Sequence, residues 1–104
     1  MKVEEMADAC PVSKFTSMLG GKWKLIILNR LRERGKMRFG QLAATIPQVS
    51  RKVLTDQLKD LEKNDLVKRK HFKQIPPKVE YSLTRKSEKL CHIFKSIEQW
   101  SKEN

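Results

Sequence analysis

Hydrophobic positions repeat with helical spacing along most of the chain, which makes a mainly α protein the first expectation. Besides a central pair of helices, helical spacing predicts helices over residues 12–19, 22–34 and 85–102. Short strands are predicted at residues 37–39, 67–72 and 79–83. Pro11 and Thr84 suit the starts of the first and last helices, Gly20-Gly21 separates the first two, and Gly35 suits the end of the second.

The stretch from Phe39 to Leu66 predicts two short helices joined by a tight turn, a helix-turn-helix over residues 39–63. Pro47 ends the first helix, because proline disfavours helical geometry in the residue before it. Ser50 stands at the N-cap position of the second helix. That helix places Leu54, Leu58 and Leu61 on one buried stripe.

Hydrogen-bond donors cover the opposite side of the second helix, which we term the recognition helix, at Arg51, Lys52, Thr55 and Lys59. A helix of this width fits the DNA major groove. The alternative to DNA binding is that this side of the helix is an ordinary solvent-exposed surface. Asp56 and Asp60 alternate with these lysines and are expected to form ion pairs within the helix. On the helix over 22–34, the basic residues are expected to point outward, at Lys24, Arg30, Arg32 and Arg34.

The two strands that follow predict a hairpin, or wing, over residues 67–83. It carries a dense set of basic side chains, at Lys68, Arg69, Lys70, His71, Lys73 and Lys78. A basic hairpin directly after a recognition helix lies where a phosphate backbone would pass. We expect Lys70, Lys73 and Lys78 to hold the flanking DNA backbone or minor groove, and Ser50 to cap its helix and touch phosphate.

Composition supports a polyanionic partner, since the 104 residues carry 23 Lys and Arg against 12 Asp and Glu, a net charge of +11. The longest unbroken apolar run, Leu25 to Leu28, is too short to span a bilayer, so no membrane partner is expected. The acidic N-terminus does not resemble a signal peptide, which predicts a cytoplasmic protein. Two cysteines, Cys10 and Cys91, are too few for a disulfide scaffold.

In order along nearly the whole chain, the residues resemble the HxlR-type winged-helix regulators of the MarR-like group. The resemblance rests on several short sequence motifs: Cys10-Pro11-Val12, Gly20 to Lys24, Arg38-Phe39, Ser50, Leu54-Thr55, Leu66-Val67, Pro76-Pro77 and Val79 to Thr84. It implies a homodimer built from the first and last helices that binds operator DNA with the recognition helix and wing. An apolar seam on the last helix ends at Trp100 and suits either that dimer or packing on the first helix.

This chain departs from the family pattern at two glycine positions, which hold Asp65 and Ser87. Asn64 or Asp65 must then adopt the left-handed conformation that ends the recognition helix. The resemblance also implies a thiol sensor at Cys10, where the helix N-terminus and Lys14 would favour thiolate. The alternative for Cys10 is an unreactive small residue at a helix start. Cys91 lies at the edge of the apolar seam on the last helix and is interpreted as a packing residue.

The expected fold is α+β, mainly α: a winged helix-turn-helix with extra N- and C-terminal dimerisation helices. No catalytic, metal-binding or cofactor motif occurs, since His71 and His92 lack helical spacing to other ligands. The expected function is a dimeric, sequence-specific regulator of double-stranded DNA, a repressor, open to a redox or small-molecule effector. The alternative is a basic module for RNA or scaffolding, although all aromatic residues except Phe72 fall on apolar faces.

Overall fold

The computed structural model describes residues 10–104 as a mainly helical fold with one small sheet. Its helices are α1 (Pro11–Leu19), α2 (Lys24–Arg34), α3 (Phe39–Thr45), α4 (Arg51–Lys63), α5 (Arg85–Glu88) and α6 (Cys91–Glu103). Its strands are β1 (Met37–Arg38), β2 (Val67–Phe72) and β3 (Lys78–Leu83). The acidic segment 1–9, on which the expectation about signal peptides rests, lies outside the described residues.

The three strands form an antiparallel sheet in the order β1-β3-β2. β3 pairs with β1 through Met37 and Tyr81, and with β2 from Val67 opposite Leu83 to Phe72 opposite Lys78. A helix-turn-helix followed by a hairpin that β1 closes into a sheet is the winged-helix arrangement. The predicted mainly α winged helix-turn-helix is therefore confirmed.

The core lies where α2, α3 and α4 meet under the sheet. The apolar stripe of α4 is fully buried, since Leu54, Leu58 and Leu61 are each no more than 1% exposed. Ile27 and Leu28 of α2 are completely buried against them, as the pattern of that helix predicts. Burying large aliphatic side chains contributes about 1.5–3 kcal/mol each, so this cluster fixes the orientation of α4. Within residues 10–104, no helix has both the length and the apolar character needed to cross a membrane.

Three local predictions about chain geometry are confirmed at the ends of helices. The Ser50 hydroxyl accepts a hydrogen bond from the Val53 amide at 3.1 Å, which caps α4. Gly35 ends α2 with a φ of 77°. Asp65 adopts the left-handed conformation, with a φ of 58°, in the turn that leads from α4 to β2.

The helix predicted over residues 85–102 is divided in two, because the chain turns at Lys89 and Leu90 between α5 and α6. The Leu90 amide donates to the Ser87 carbonyl at 3.0 Å, a tight turn in place of the α-helical bond four residues back. The predicted start of the second helix at Lys22 is also wrong. α2 begins at Lys24, with Trp23 as its N-cap, and Gly21 before it takes a φ of 94°.

Polar contacts join the start of α5 to the end of the recognition helix. The buried Thr84 hydroxyl donates to the Asp65 carbonyl at 2.7 Å, and Lys86 Nζ donates to the Asn64 carbonyl at 3.0 Å. Ser87, one of the departures from the family glycines, is 1% exposed, and its hydroxyl accepts from the Thr84 amide at 2.9 Å. Ser87 thus completes a capping box at α5.

Candidate nucleic-acid interface

The exposed face of α4 carries most of the side chains that the sequence assigns to DNA. Arg51, Lys52 and Lys59 are exposed on it, and the capping residue Ser50 is exposed at its start. Thr55 is half-buried, and its hydroxyl donates to the Arg51 carbonyl at 2.8 Å, which leaves its oxygen free to accept a further bond. These residues therefore lie on one continuous surface.

An aromatic ring from α3 positions Arg51. Its guanidinium carbon lies 5.7 Å from the centroid of the Phe39 ring, within cation–π range. Phe39 is itself half-buried against the core. The first helix of the motif thus restricts where the first basic residue of the second can point.

An ion pair between a buried lysine and a half-exposed aspartate fixes the rotation of α4 and corrects two expectations. Lys24, predicted to point outward, is 9% exposed, and its ammonium donates to the Asp60 carboxylate. Asp60 therefore bonds across to α2 instead of pairing within its own helix. The hydrogen bond from Lys24 lowers the pKa of the Asp60 carboxyl below its ordinary value.

The wing adjoins the recognition helix through Arg69, which the sequence analysis placed in the wing but not among the DNA-binding residues. Arg69 lines a groove of about 270 Å³ together with Thr55, Lys59 and Tyr81. Strand alternation could have found it, because Arg69 lies two residues from the buried Val67 and so shares its face. Lys70, chosen from charge alone, belongs to the other face.

The remaining predicted wing residues differ in their exposure to solvent and in their contacts with other side chains. Lys70 and Lys73 are exposed. Lys78 is half-buried, with its Nζ 3.2 Å from a Glu80 carboxylate oxygen. The ammonium groups of Lys70 and Lys78 lie 4.9 and 4.8 Å from the centroid of the Phe72 ring. Phe72 is therefore occupied by two cations and offers little open surface for stacking on a base.

Comparison with known protein families identifies this arrangement. The family described as HxlR-like helix-turn-helix matches residues 18–104. The chain belongs to the HxlR-like helix-turn-helix family. It is accordingly an HTH-type transcriptional regulator, and the resemblance stated from its sequence is confirmed.

Relatives and solved structures agree with the HxlR-like assignment. The HTH-type transcriptional regulator BH0655 of Halalkalibacterium halodurans is 43% identical over 99% of this chain and 90% of its own length. The redox regulator HypR in its oxidised form is 38% identical, with a TM-score of 0.84 over 91% of this chain and 97% of that one. The reduced form of YodB from Bacillus subtilis is 36% identical, with a TM-score of 0.77 over 88% and 90%.

The thiol of Cys10 stands at the N-cap of α1 in this HxlR-like chain. Cys10 is exposed, whereas Cys91, at the start of α6, is half-buried. The nearby backbone amides of Ser13 and Val12, at the start of α1, lower the pKa of the Cys10 thiol below its ordinary value. No cluster of three or more His, Cys, Asp or Glu side chains suited to a metal ion occurs within residues 10–104.

Proposed function

We propose that this HxlR-like regulator is a dimeric repressor that binds a specific operator in double-stranded DNA through α4 and the wing. The observation that supports this most is that Thr55 and Lys59 of α4 line one groove with Arg69 of the wing, where Glu62 is the one acidic side chain. The exposed surface then joins a helix able to enter the major groove to a hairpin able to follow the backbone beside it.

The residues divide into two roles. Arg51, Lys52, Thr55 and Lys59 would reach base edges in the major groove, as would the newly identified Arg69. Ser50, Lys70, Lys73 and Lys78 would hold phosphate or the flanking minor groove. Lys78 already neutralises Glu80, so we expect its contribution to be the smallest of the lysines.

A second copy of the chain would cover the apolar surface of the terminal helices. Val12 of α1 is 69% exposed and Trp100 of α6 is 66% exposed. Between α2 and α6, Leu25, Ile26, Phe94 and Ile97 line a mainly apolar groove of about 260 Å³. A dimer would bury these side chains, and two recognition helices would then read two half-sites.

Cys10 is the residue through which we expect oxidants or electrophiles to act. It is exposed and its thiolate is stabilised, the two properties that make a cysteine reactive. The similar structures include a redox regulator, HypR, in oxidised and reduced forms. Modification of Cys10 would change DNA binding through the dimer, because Cys10 lies at the start of α1 next to Val12, which belongs to the proposed contact between copies.

Selection of bound fragments from random duplex DNA tests the proposal. Reduced protein should recover a palindromic consensus, and oxidised protein or protein treated with an electrophile should recover it poorly. A Cys10→Ser variant should recover it under both conditions. Failure to enrich any duplex, or tighter binding of single-stranded RNA at matched salt, would instead favour the RNA-binding alternative.

Substitutions separate base reading from anchoring. Replacing Lys52 and Thr55 together by alanine should reduce the preference for the selected operator over random DNA. Lys73→Ala should weaken both about equally and reduce the slope of log affinity against log salt by about 1. If the double variant kept full operator preference, the reading face of α4 would be wrongly assigned.

A further inference from the structure

The tip of the wing presents an isolated hydrophobic residue to solvent. Ile75 lies in the loop that joins β2 to β3 and is 101% exposed. The most exposed of the other large hydrophobics, Val12 and Trp100, lie on the terminal helices, where a second copy would cover them. Ile75 lies outside that surface, at the far end of the hairpin, next to Pro76 and Pro77.

The charge around this tip favours a polyanion as its partner. Lys73 is exposed in the same loop, and Lys70 is exposed on the adjoining strand. Glu80 is the one acidic residue between positions 67 and 83, and Lys78 neutralises it at 3.2 Å. An apolar tip surrounded by unneutralised cations suits a surface that is anionic outside and apolar within, as the walls of a DNA minor groove are.

The length of the wing fits the adjacent minor groove. Arg69 lies beside Thr55 and Lys59 of the recognition helix, and Ile75 is six residues further along the chain. Six residues reach at most about 20 Å. The minor groove next to an occupied major groove lies half a turn away, about 17 Å along the duplex axis.

We propose that Ile75 enters the minor groove that flanks the operator, where it acts as an apolar wedge at a base step and bends the duplex. The proposal rests on the DNA binding proposed above and adds a specificity-determining residue to it. A wedge selects flexible pyrimidine–purine steps and A·T pairs, since these are the easiest to unstack and carry no guanine amino group in the minor groove. Ile75 thus gives the wing a sequence preference that its lysines cannot supply.

Three variants of the full chain test this role on the duplex recovered by selection. Ile75→Ser should weaken binding on the order of tenfold, because it removes the apolar side chain. It should also reduce the bend, measured by energy transfer between dyes at the two DNA ends. Ile75→Met should keep both properties, and the matched control Gln74→Ser, at the neighbouring exposed residue, should resemble the unmodified protein.

Base analogues test where the side chain goes. Placing G·C at the flanking step should weaken binding, and replacing that guanine by inosine should restore it, since inosine removes only the minor-groove amino group. The Ile75→Ser variant should respond to neither change. This response separates a wedge in the minor groove from a general loss of affinity.

The failure of this inference differs from the failure of the proposed function. If the unmodified protein enriches no duplex, the proposed function itself is wrong. If it enriches one, but Ile75→Ser matches it in affinity, bend and response to inosine, only the wedge is overturned. The wedge is also overturned if Ile75→Ser leaves DNA binding intact and abolishes binding to phosphatidylglycerol vesicles, since the tip would then bind lipid.

Discussion

Lys24 of α2 forms an ion pair with Asp60 of the recognition helix. The Lys24 side chain is only 11% exposed, so its ammonium has lost much of its hydration and needs a partner of opposite charge. Asp60 supplies that partner from α4, 36 residues further along the chain. The pair therefore fixes the turn of α4 about its own axis, which decides which side chains face the DNA.

Replacing Asp60 by asparagine should destabilise the fold, because it leaves the Lys24 ammonium without a counter-charge. We expect a loss of about 1–2 kcal/mol in the free energy of unfolding, since the carboxylate side is still partly hydrated. Urea denaturation followed by tryptophan fluorescence measures it. Asp56→Asn is the matched control on the exposed face of α4 and should change stability by less than about 0.5 kcal/mol. Equal losses in the two variants would contradict the role of the pair.

The same pair predicts how stability depends on pH. The pKa of Asp60 is lowered in the folded state, so its contribution is fully present above the pKa of an unfolded aspartate, about 3.9. That contribution is lost as the pH falls through the lower pKa of the folded protein. The stability difference between the unmodified protein and Asp60→Asn should therefore be constant near neutral pH and shrink in acid. A difference that grew in acid would contradict the assignment.

Cys10 should be the more reactive of the two thiols. Cys10 is exposed and the pKa of its thiol is lowered, so it offers an accessible thiolate, whereas Cys91 is half-buried and less accessible to a reagent. Alkylation by iodoacetamide, followed by mass spectrometry on Cys91→Ser and Cys10→Ser variants, should show Cys10 reacting faster. Its rate should reach half of its maximum at a lower pH than that of a free cysteine. Equal rates would indicate that the amides of α1 do not activate the thiol.

Among the structural elements, the turn from α4 to β2 tolerates a backbone conformation that few side chains adopt. Asp65 has a φ of 58° there, and its carbonyl accepts the hydrogen bond from Thr84. Asp65→Ala should lower stability by about 1 kcal/mol relative to Asp65→Gly, because alanine at positive φ is strained and glycine is not. Thermal denaturation of the two variants gives the comparison. Equal stability would mean that the turn relaxes to another conformation.

Sequence predicted those elements whose signals are local. The spacing of Leu54, Leu58 and Leu61 and the cap at Ser50 define α4 without reference to the rest of the chain. The left-handed turn could be assigned to Asn64 or Asp65 because these two residue types tolerate it. The DNA-facing side of α4 follows from the buried stripe opposite to it.

Features that depend on distant contacts could not be predicted. The Lys24–Asp60 pair joins residues that no periodic pattern connects, and a basic residue on a helix is more often exposed than buried. The break at Lys89 and Leu90 carries no glycine or proline to mark it. The position of Arg69 beside Thr55 depended on knowing which face of β2 turns toward α4.

At the scale of the whole molecule, the terminal helices leave an apolar surface that one copy of the chain does not cover. Trp100 is 66% exposed and Ile97 is 45% exposed on α6. Trp100→Glu should produce a monomer, because it places a charge in the proposed interface, and operator affinity should fall at least tenfold with the loss of the second half-site. Analytical ultracentrifugation and an operator titration measure the two effects.

Lys102→Glu provides the matched control for this prediction. Lys102 lies two residues further along α6, about 200° around the helix axis from Trp100, and is exposed. It should leave the dimer intact while changing the net charge more than Trp100→Glu does. If Trp100→Glu sedimented as a dimer, the contact between copies would have to lie elsewhere.

The two hydrogen bonds from Thr84 and Lys86 to the carbonyls of Asp65 and Asn64 make the start of α5 a rigid joint with the end of α4. If α6 packs against a partner copy, a small rotation at the dimer interface moves α5, and the two hydrogen bonds pass that movement to the recognition helix of each subunit. The distance between the two recognition helices then changes, while the fold of each subunit stays the same. A signal that rotates the subunits would therefore change the half-site spacing that the dimer accepts. If that signal weakens binding to the natural operator, it should strengthen binding to an operator with one base pair inserted at its centre.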